Sequence, residues 1–401
     1  MFTLLKKFNM TVWLVIISTL ISRFAMFMVW PFLAIILHTK FAMNEFEIGA
    51  FLAFPTFIGV STGFYIGFLS DKFGRRKIIL LGLVITIFAM LTLGAAQSPG
   101  FLMAGMIGQS IARSMVEGPG KALMTDMLQD RAVKDMALHT RYFALNIGAA
   151  FGPLVGVSFG LTAQQTTFWM VGGAYGLYLL AASVVFRIET PLARAKMDRD
   201  HTIKQVITLL GRDHAFMLFV FASLLAFVAY GQIDVGLLQY LRVVNFPDIT
   251  KFYAVLIFVN GMTVLVFQFP MLKLLENYAP LHRATLGVLL FIVAFIGFML
   301  SPIGMQSGFL ISMFLLSLGE VILFPTLSII VDRMAHEHLK GSYFGAAALG
   351  AFGFSLAPLL GGYLLFQFGG TALWLTMAIL SGFVGGLFFL AQKWRARNLN
   401  T

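Results

Sequence analysis

Apolar residues run along this chain in blocks far longer than the faces of soluble helices. The first runs from Thr11 to Leu37, and others follow at Ile48–Ser70, Ile78–Ala96, Phe101–Leu128, Tyr142–Leu161 and Phe168–Phe186. After a polar stretch the pattern resumes at Phe216–Tyr240, Phe252–Leu275, Ala284–Leu300, Phe309–Val331, Tyr343–Phe366 and Ala372–Ala391. A bilayer span needs roughly 20 apolar residues, so the pattern predicts twelve spans. They read as helices, because strands of a membrane barrel alternate in character over only about ten residues. Lys6 and Lys7 ahead of the first block superficially resemble a signal peptide, but that block is too long for a signal core.

The polar positions between blocks orient the chain. Of 28 Lys and Arg, 22 fall in the termini and alternate loops, and Lys40, Arg242 and Lys251 fall in the intervening ones. Cytoplasmic loops collect Lys and Arg, so both termini are expected in the cytoplasm. In this count Arg141 is a loop charge ahead of the fifth span. The longest polar segment, Arg187–His214, separates six blocks from six and holds a short amphipathic piece at Ile203–Leu210. The expected organisation is residues 1–187 as one six-helix bundle, 188–213 as a cytoplasmic linker and 214–401 as a second bundle.

A weak internal repeat supports that division. Pro119 and Asp126 match Pro325 and Asp332 at an offset of 206, and Pro153 and Gly156 match Pro358 and Gly361 at 205. Composition agrees, with 59% hydrophobic and 11% charged residues, against about 25% charged in soluble domains. A net charge of +11 would suggest nucleic acid in a soluble protein, but its placement in short loops makes it topogenic here. With no cysteine there are no disulfides, thiolate metal sites or Cys nucleophiles. No nucleotide-binding loop or metal-ligand spacing occurs, so neither a cofactor nor a resident metal is expected, and no nucleophile–base set suggests an enzyme.

Between the second and third blocks stands Gly67-Phe-Leu-Ser-Asp71-Lys72-Phe-Gly74-Arg75-Arg76-Lys77. Gly74 permits a turn with positive φ and Gly67 permits close helix packing. The run resembles the cytoplasmic loop signature of the major facilitator superfamily. That resemblance implies a conformational latch, with Asp71 facing the start of the eleventh span and Arg75 pairing with an acid ending the fourth, here Asp126. In the fifth block, Gly148-Ala-Ala-Phe-Gly152-Pro153-Leu-Val-Gly156 resembles the antiporter motif of the same superfamily, with Val157 where the motif has a further glycine. Small residues and a proline in one helix also describe a close-packed, bendable contact. The resemblance implies an all-α membrane protein of twelve transmembrane helices in two pseudo-symmetric six-helix bundles, working as a monomer among membrane lipids.

Ionisable groups inside spans cost ~2.5–3.5 kcal/mol each on insertion scales, which marks them as functional candidates. The first half holds Arg23, Arg113, Glu117 and Lys121, the last three spaced i, i+4, i+8 on one helical face. Arg113–Glu117 also reads as a structural ion pair, and Arg23 shares a face with Phe27 and Trp30, open to a cation–π contact. The second half holds Asp234 and Glu320 with no cation in its spans. A carboxyl removed from water favours its neutral form and so can take up and release a proton. Leu318-Gly-Glu320 through Pro325, with Gln232-Ile-Asp234, looks like the corresponding spans of proton-driven multidrug and dipeptide exporters. The resemblance implies a proton-coupled exporter of amphipathic molecules or small peptides. Proton coupling is expected of Asp234, Glu320 and Glu117, and substrate binding of Arg23, Trp30, Arg113, Lys121, Asp234 and Glu320. A proton-coupled importer of a metabolite and a non-transporting sensor or scaffold are the alternatives.

Overall fold

A computed structural model describes residues 2–189, 211, 213–334, 343 and 346–398. The amphipathic piece at Ile203–Leu210 lies outside them, as do the side chains of Asp71 and Asp332. Every element among the described residues is a helix. After one turn at Phe2–Leu5 the chain forms α1 (Met10–Val29), a 3₁₀ turn at Trp30–Phe32 and α2 (Leu33–Phe41). There follow α3 (Glu45–Phe73), α4 (Arg75–Ala95), α5 (Pro99–Asp126), α6 (Arg131–Ser158) and α7 (Thr167–Ile188). The second half repeats the scheme with α8 (His214–Tyr230), a 3₁₀ turn at Gly231–Ile233, α9 (Gly236–Val243), α10 (Ile249–Leu274), α11 (Pro280–Leu300), α12 (Gln306–Met334) and α13 (Phe352–Asn398).

Nine helical stretches among the described residues are long and apolar enough to cross a membrane. One of them, Ala348–Trp394, contains two helices joined at Gly369, whose φ of 78° interrupts the helical backbone. The 28-residue helices α5 and α6 are not among the nine. Their interiors carry Arg113, Glu117, Lys121 and Arg141, which lower their apolar character, although the apolar blocks Phe101–Leu128 and Tyr142–Leu161 fall on them.

The chain divides into two compact units, Met1–Met43 with Phe54–Lys196 and Tyr253–Phe258, and Asn44–Ala53 with Met197–Phe252 and Val259–Thr401. In the first unit α1 packs on α6 and α7, and α4 on α5. Its core gathers Val12, Ile16, Leu83, Met124, Ala137 and Tyr178. In the second unit α8 and α11 both pack on α13, and α11 on α12. There Trp374 is fully buried between Phe295, stacked at 6.1 Å between centroids, and Phe298 at 5.0 Å. Flat rings bury large areas with little side-chain entropy to lose, which suits a core that buries Phe291, Phe295, Phe298 and Phe309 together with Trp374.

The repeat is legible in the packing. A Cβ on Gly148 of α6 would fall 2.8 Å from the Leu20 carbonyl of α1, and one on Gly353 of α13 would strike the Leu224 carbonyl of α8. Both positions sit 205 apart in the chain, and each lets two backbones touch. Both halves also interrupt their first span. Pro31 lacks an N–H and crowds the preceding turn, which ends α1. At the second break, Gln232 donates to the Val228 carbonyl (3.2 Å) and the Ala357 carbonyl (2.9 Å), so the loosened backbone stays satisfied within its unit.

Candidate functional site

In the first unit a charged cluster forms where α1, α5, α6 and α7 converge. Arg113 and Glu117 lie one turn apart on α5, and Arg113 Nε reaches Glu117 Oε1 at 3.0 Å. Arg23 of α1 approaches the same oxygen at 3.5 Å and lies 5.2 Å from the centroid of the Phe27 ring. Lys121, a turn further along α5, is within electrostatic reach of Glu117 and both arginines. Tyr175 of α7 adds a hydroxyl beside Glu117 and Arg23 and hydrogen-bonds Ser22. Trp30 lies apart from the cluster, in the 3₁₀ turn, edge-on to Phe168 at 6.5 Å.

Arg141 corrects the loop count. It stands inside α6 with 6% of its surface exposed, within electrostatic reach of Glu117, Arg113 and Tyr178. The helix begins eleven residues before the apolar block at Tyr142, so a hydropathy boundary misplaced this charge outside the bundle. A usable signal was present. Arg141 precedes Gly148 by seven residues, two helical turns, and therefore shares the face that packs on α1.

The second unit holds an acidic counterpart. Glu320 of α12 is 8% exposed, and Asn260 of α10 donates to its Oε2 at 2.6 Å and to Ser317 Oγ at 3.0 Å. Tyr230, ending α8, hydrogen-bonds the same carboxyl, and Asp234 is the charge within reach. Asp234 follows the 3₁₀ break and is itself exposed, so broken helix and carboxylate coincide. The Tyr230 ring packs edge-on to Phe324 at 4.8 Å and stacks on Phe291 at 6.0 Å, giving the carboxyl an aromatic wall. Asn260 and Tyr230 went unremarked in the sequence, although an Asn within an apolar span is a visible flag.

At the latch, Gly74 has φ 97° and starts α4, as a turn of positive φ requires. Arg75 Nε lies 3.2 Å from Oδ2 of Asp126, the last residue of α5. The side chain of Asp71 is outside those described. A Cβ on Gly67 would meet nothing within 4 Å among the described residues. Arg76, read as topogenic, donates to the Phe186 carbonyl at 2.6 Å and so closes the end of α7. Glu189 accepts from the N–H groups of Met10 and Thr11, both at 2.8 Å, capping α1 from the far end of the unit.

In the antiporter-type motif, Gly148, Gly152 and Gly156 all face α1, where added Cβ atoms would fall 2.8 Å from Leu20 O, 2.6 Å from Phe24 O and 3.0 Å from Met28 O. Pro153 lies within α6 among them. In the second unit, Arg242 at the end of α9 donates to Glu45 Oε1 at 2.5 Å. Near it, Cβ atoms on Gly49 and Gly362 would strike the carbonyls of Pro358 and Glu45.

Comparison with known proteins places this geometry in a family. The profile described as Major Facilitator Superfamily matches residues 15–352. The uncharacterized MFS-type transporter YqjV of Bacillus subtilis (strain 168) is 29% identical over 393 residues, covering 97% of this chain and 95% of that protein. Multidrug resistance protein MdtH of Escherichia coli (strain SE11) is 23% identical over 412 residues, covering 96% and 94%. A crystal structure of nucleoside transporter NupG superposes with a TM-score of 0.81 at 14% identity over 96% of this chain and 100% of that one, a likeness of fold. With a family profile spanning most of its length and nine helical stretches of membrane-crossing character among the described residues, the chain belongs to the Major Facilitator Superfamily, a multi-pass membrane transporter and not an enzyme.

Proposed function

We propose that the protein is a proton-coupled exporter of amphipathic organic molecules or small peptides, working by alternating access. It has twelve spans in two six-helix bundles, residues 1–187 and 214–401, joined by a linker and with both termini cytoplasmic. The observation that carries the reading is the buried Glu320, held by Asn260 and Tyr230 and faced by a second carboxylate at Asp234. A buried carboxyl with no cation partner among the described residues suits the cycle a proton carrier needs, neutral while shielded and ionised when water reaches it. Glu117 joins that cycle only when its guanidinium partners have moved off or found another anion. Resemblance to a multidrug resistance protein supports export. Arg75–Asp126 and Asp71 serve as the conformational latch, and the α6 glycines as the bending contact. The cationic set of Arg23, Arg113 and Lys121 binds substrate, with Trp30 set apart from it in the 3₁₀ turn.

The test is transport in proteoliposomes with an imposed pH gradient. Native protein should accumulate a fluorescent amphipathic substrate against its gradient, and a protonophore should abolish this while ATP is irrelevant. Glu320→Gln should bind substrate yet fail at uphill accumulation. Accumulation by Glu320→Gln at the native level would remove Glu320 from coupling and leave Asp234 to the same test.

A further inference from the structure

Charge balance in the first unit leaves a question that an ion pair does not answer. Among the described residues four cations, Arg23, Arg113, Lys121 and Arg141, gather around one carboxylate, Glu117. Three positive charges are uncompensated by that group. Each charge inside a span costs ~2.5–3.5 kcal/mol on insertion scales, so a surplus of this size is not a neutral feature of the fold. Two observations indicate that the surplus is directed at something. Arg141 is buried to 6% exposure, yet its Nε has no hydrogen-bond partner among the described residues. Arg113, by contrast, keeps 52% of its side chain exposed beside Glu117, and Lys121 is exposed too. Charges exposed within a span are stable facing water and not hydrocarbon, so the exposed side of Arg113 and Lys121 is the side from which a solute would reach the cluster. Beside the cations lie the Phe27 ring and Tyr175, which offer apolar faces next to the charge.

We propose that Arg141, with Lys121, Arg23 and Arg113, forms an anion subsite that takes the carboxylate of an amphipathic organic ligand. The assignment rests on the transport reading above and narrows its substrate class to molecules carrying an acidic group. Guanidinium groups suit it because their planar forks bind carboxylates in two-point fashion. Arg141 supplies an unsatisfied buried donor, and Lys121 supplies a mobile charge at the wet edge. Lipophilic cations are disfavoured at this cluster by the same surplus.

The experiment is equilibrium binding in neutral detergent, without a gradient, using dansyl-alanyl-alanine and its C-terminal amide. The two probes share a body and differ by one negative charge. Native protein should prefer the acid by about ten- to a hundredfold, the range of a charge-assisted hydrogen-bond set. Arg141→Gln and Lys121→Gln should each shrink that preference, and Arg141→Lys should restore part of it. Lys121 is exposed, so its variant tests the subsite even if Arg141→Gln does not fold. Equal affinity for acid and amide in the native protein, or no binding of the acid, would overturn the assignment. So would a preference unchanged in Lys121→Gln and Arg141→Lys. If added phosphatidylglycerol abolishes the preference while phosphatidylcholine does not, the cluster holds a lipid headgroup and the substrate assignment falls. Because the measurement uses no proton gradient, its failure leaves the coupling role of Glu320 standing, and failure of the Glu320 test leaves the subsite standing.

Discussion

Removing the Arg75–Asp126 contact tests the latch with numbers taken from the structure. At 3.2 Å, two unit charges attract by about 5 kcal/mol at an effective dielectric of ~20 and by about 1.3 kcal/mol in bulk water. The side chains are 16% and 28% exposed, so screening and desolvation leave a coupling of about 1–3 kcal/mol. Asp126 ends α5, where the helix dipole disfavours a negative charge by ~0.3–1 kcal/mol. The two single variants should therefore differ. Arg75→Ala strands a carboxylate at an unfavourable helix end, whereas Asp126→Asn removes that repulsion while losing the pair, so Arg75→Ala should be the costlier. The assay is detergent-titrated unfolding of native protein, both single variants and the double variant, read as a double-mutant cycle. A coupling of at least ~1 kcal/mol is expected. Losses that add within ~0.5 kcal/mol would show that the pair is geometric and not energetic, and the latch argument would fail with it.

Three further outcomes follow from the packing and the charges. Gly148→Ala should destabilise by about 1–3 kcal/mol because its Cβ would press on backbone atoms of α1, whereas Gly67→Ala, which meets no neighbour among the described residues, should stabilise by roughly 0.4–1 kcal/mol in the same unfolding assay. Glu189 lies beyond the end of α7, where partial burial pushes its carboxyl up but hydrogen bonds from Thr11 and Met10 and the nearby Arg76 outweigh it and hold it below the usual carboxylate range. Its stabilisation should be fully present above the ordinary Glu value of about 4.3 and lost as pH falls through its folded value, so thermal scans of Glu189→Gln should lie below native at neutral pH and converge with it at the acid end. Exchanging the charges of Glu45 and Arg242 should restore more stability than either single reversal, and equal losses for all three would show that α3 is held there by the Gly49 and Gly362 contacts alone.

Some of this molecule is local and some is not. Helices were legible because a backbone in lipid must satisfy its own hydrogen bonds, and long apolar blocks permit nothing else at this length. The i, i+4 pairing of Arg113 with Glu117 was legible because both sit on one helix, where spacing is geometry. The Arg75–Asp126 contact was expected through family resemblance, since 51 residues separate the partners and no local rule joins them. Arg141 was misread because hydropathy ends a span where charge begins, while a helix continues for as long as its hydrogen bonds do. Tertiary packing alone put Arg141 and Arg23 beside Glu117, and Asn260 and Tyr230 on Glu320, from helices distant in the chain. That Gly148 matters for packing also depended on the neighbouring helix, whose backbone lies against it. The pattern of apolar and polar residues specifies which segments enter the membrane, because that choice is made by each segment against lipid. It does not specify which charges meet, because that depends on how each helix is rotated and on what it packs against.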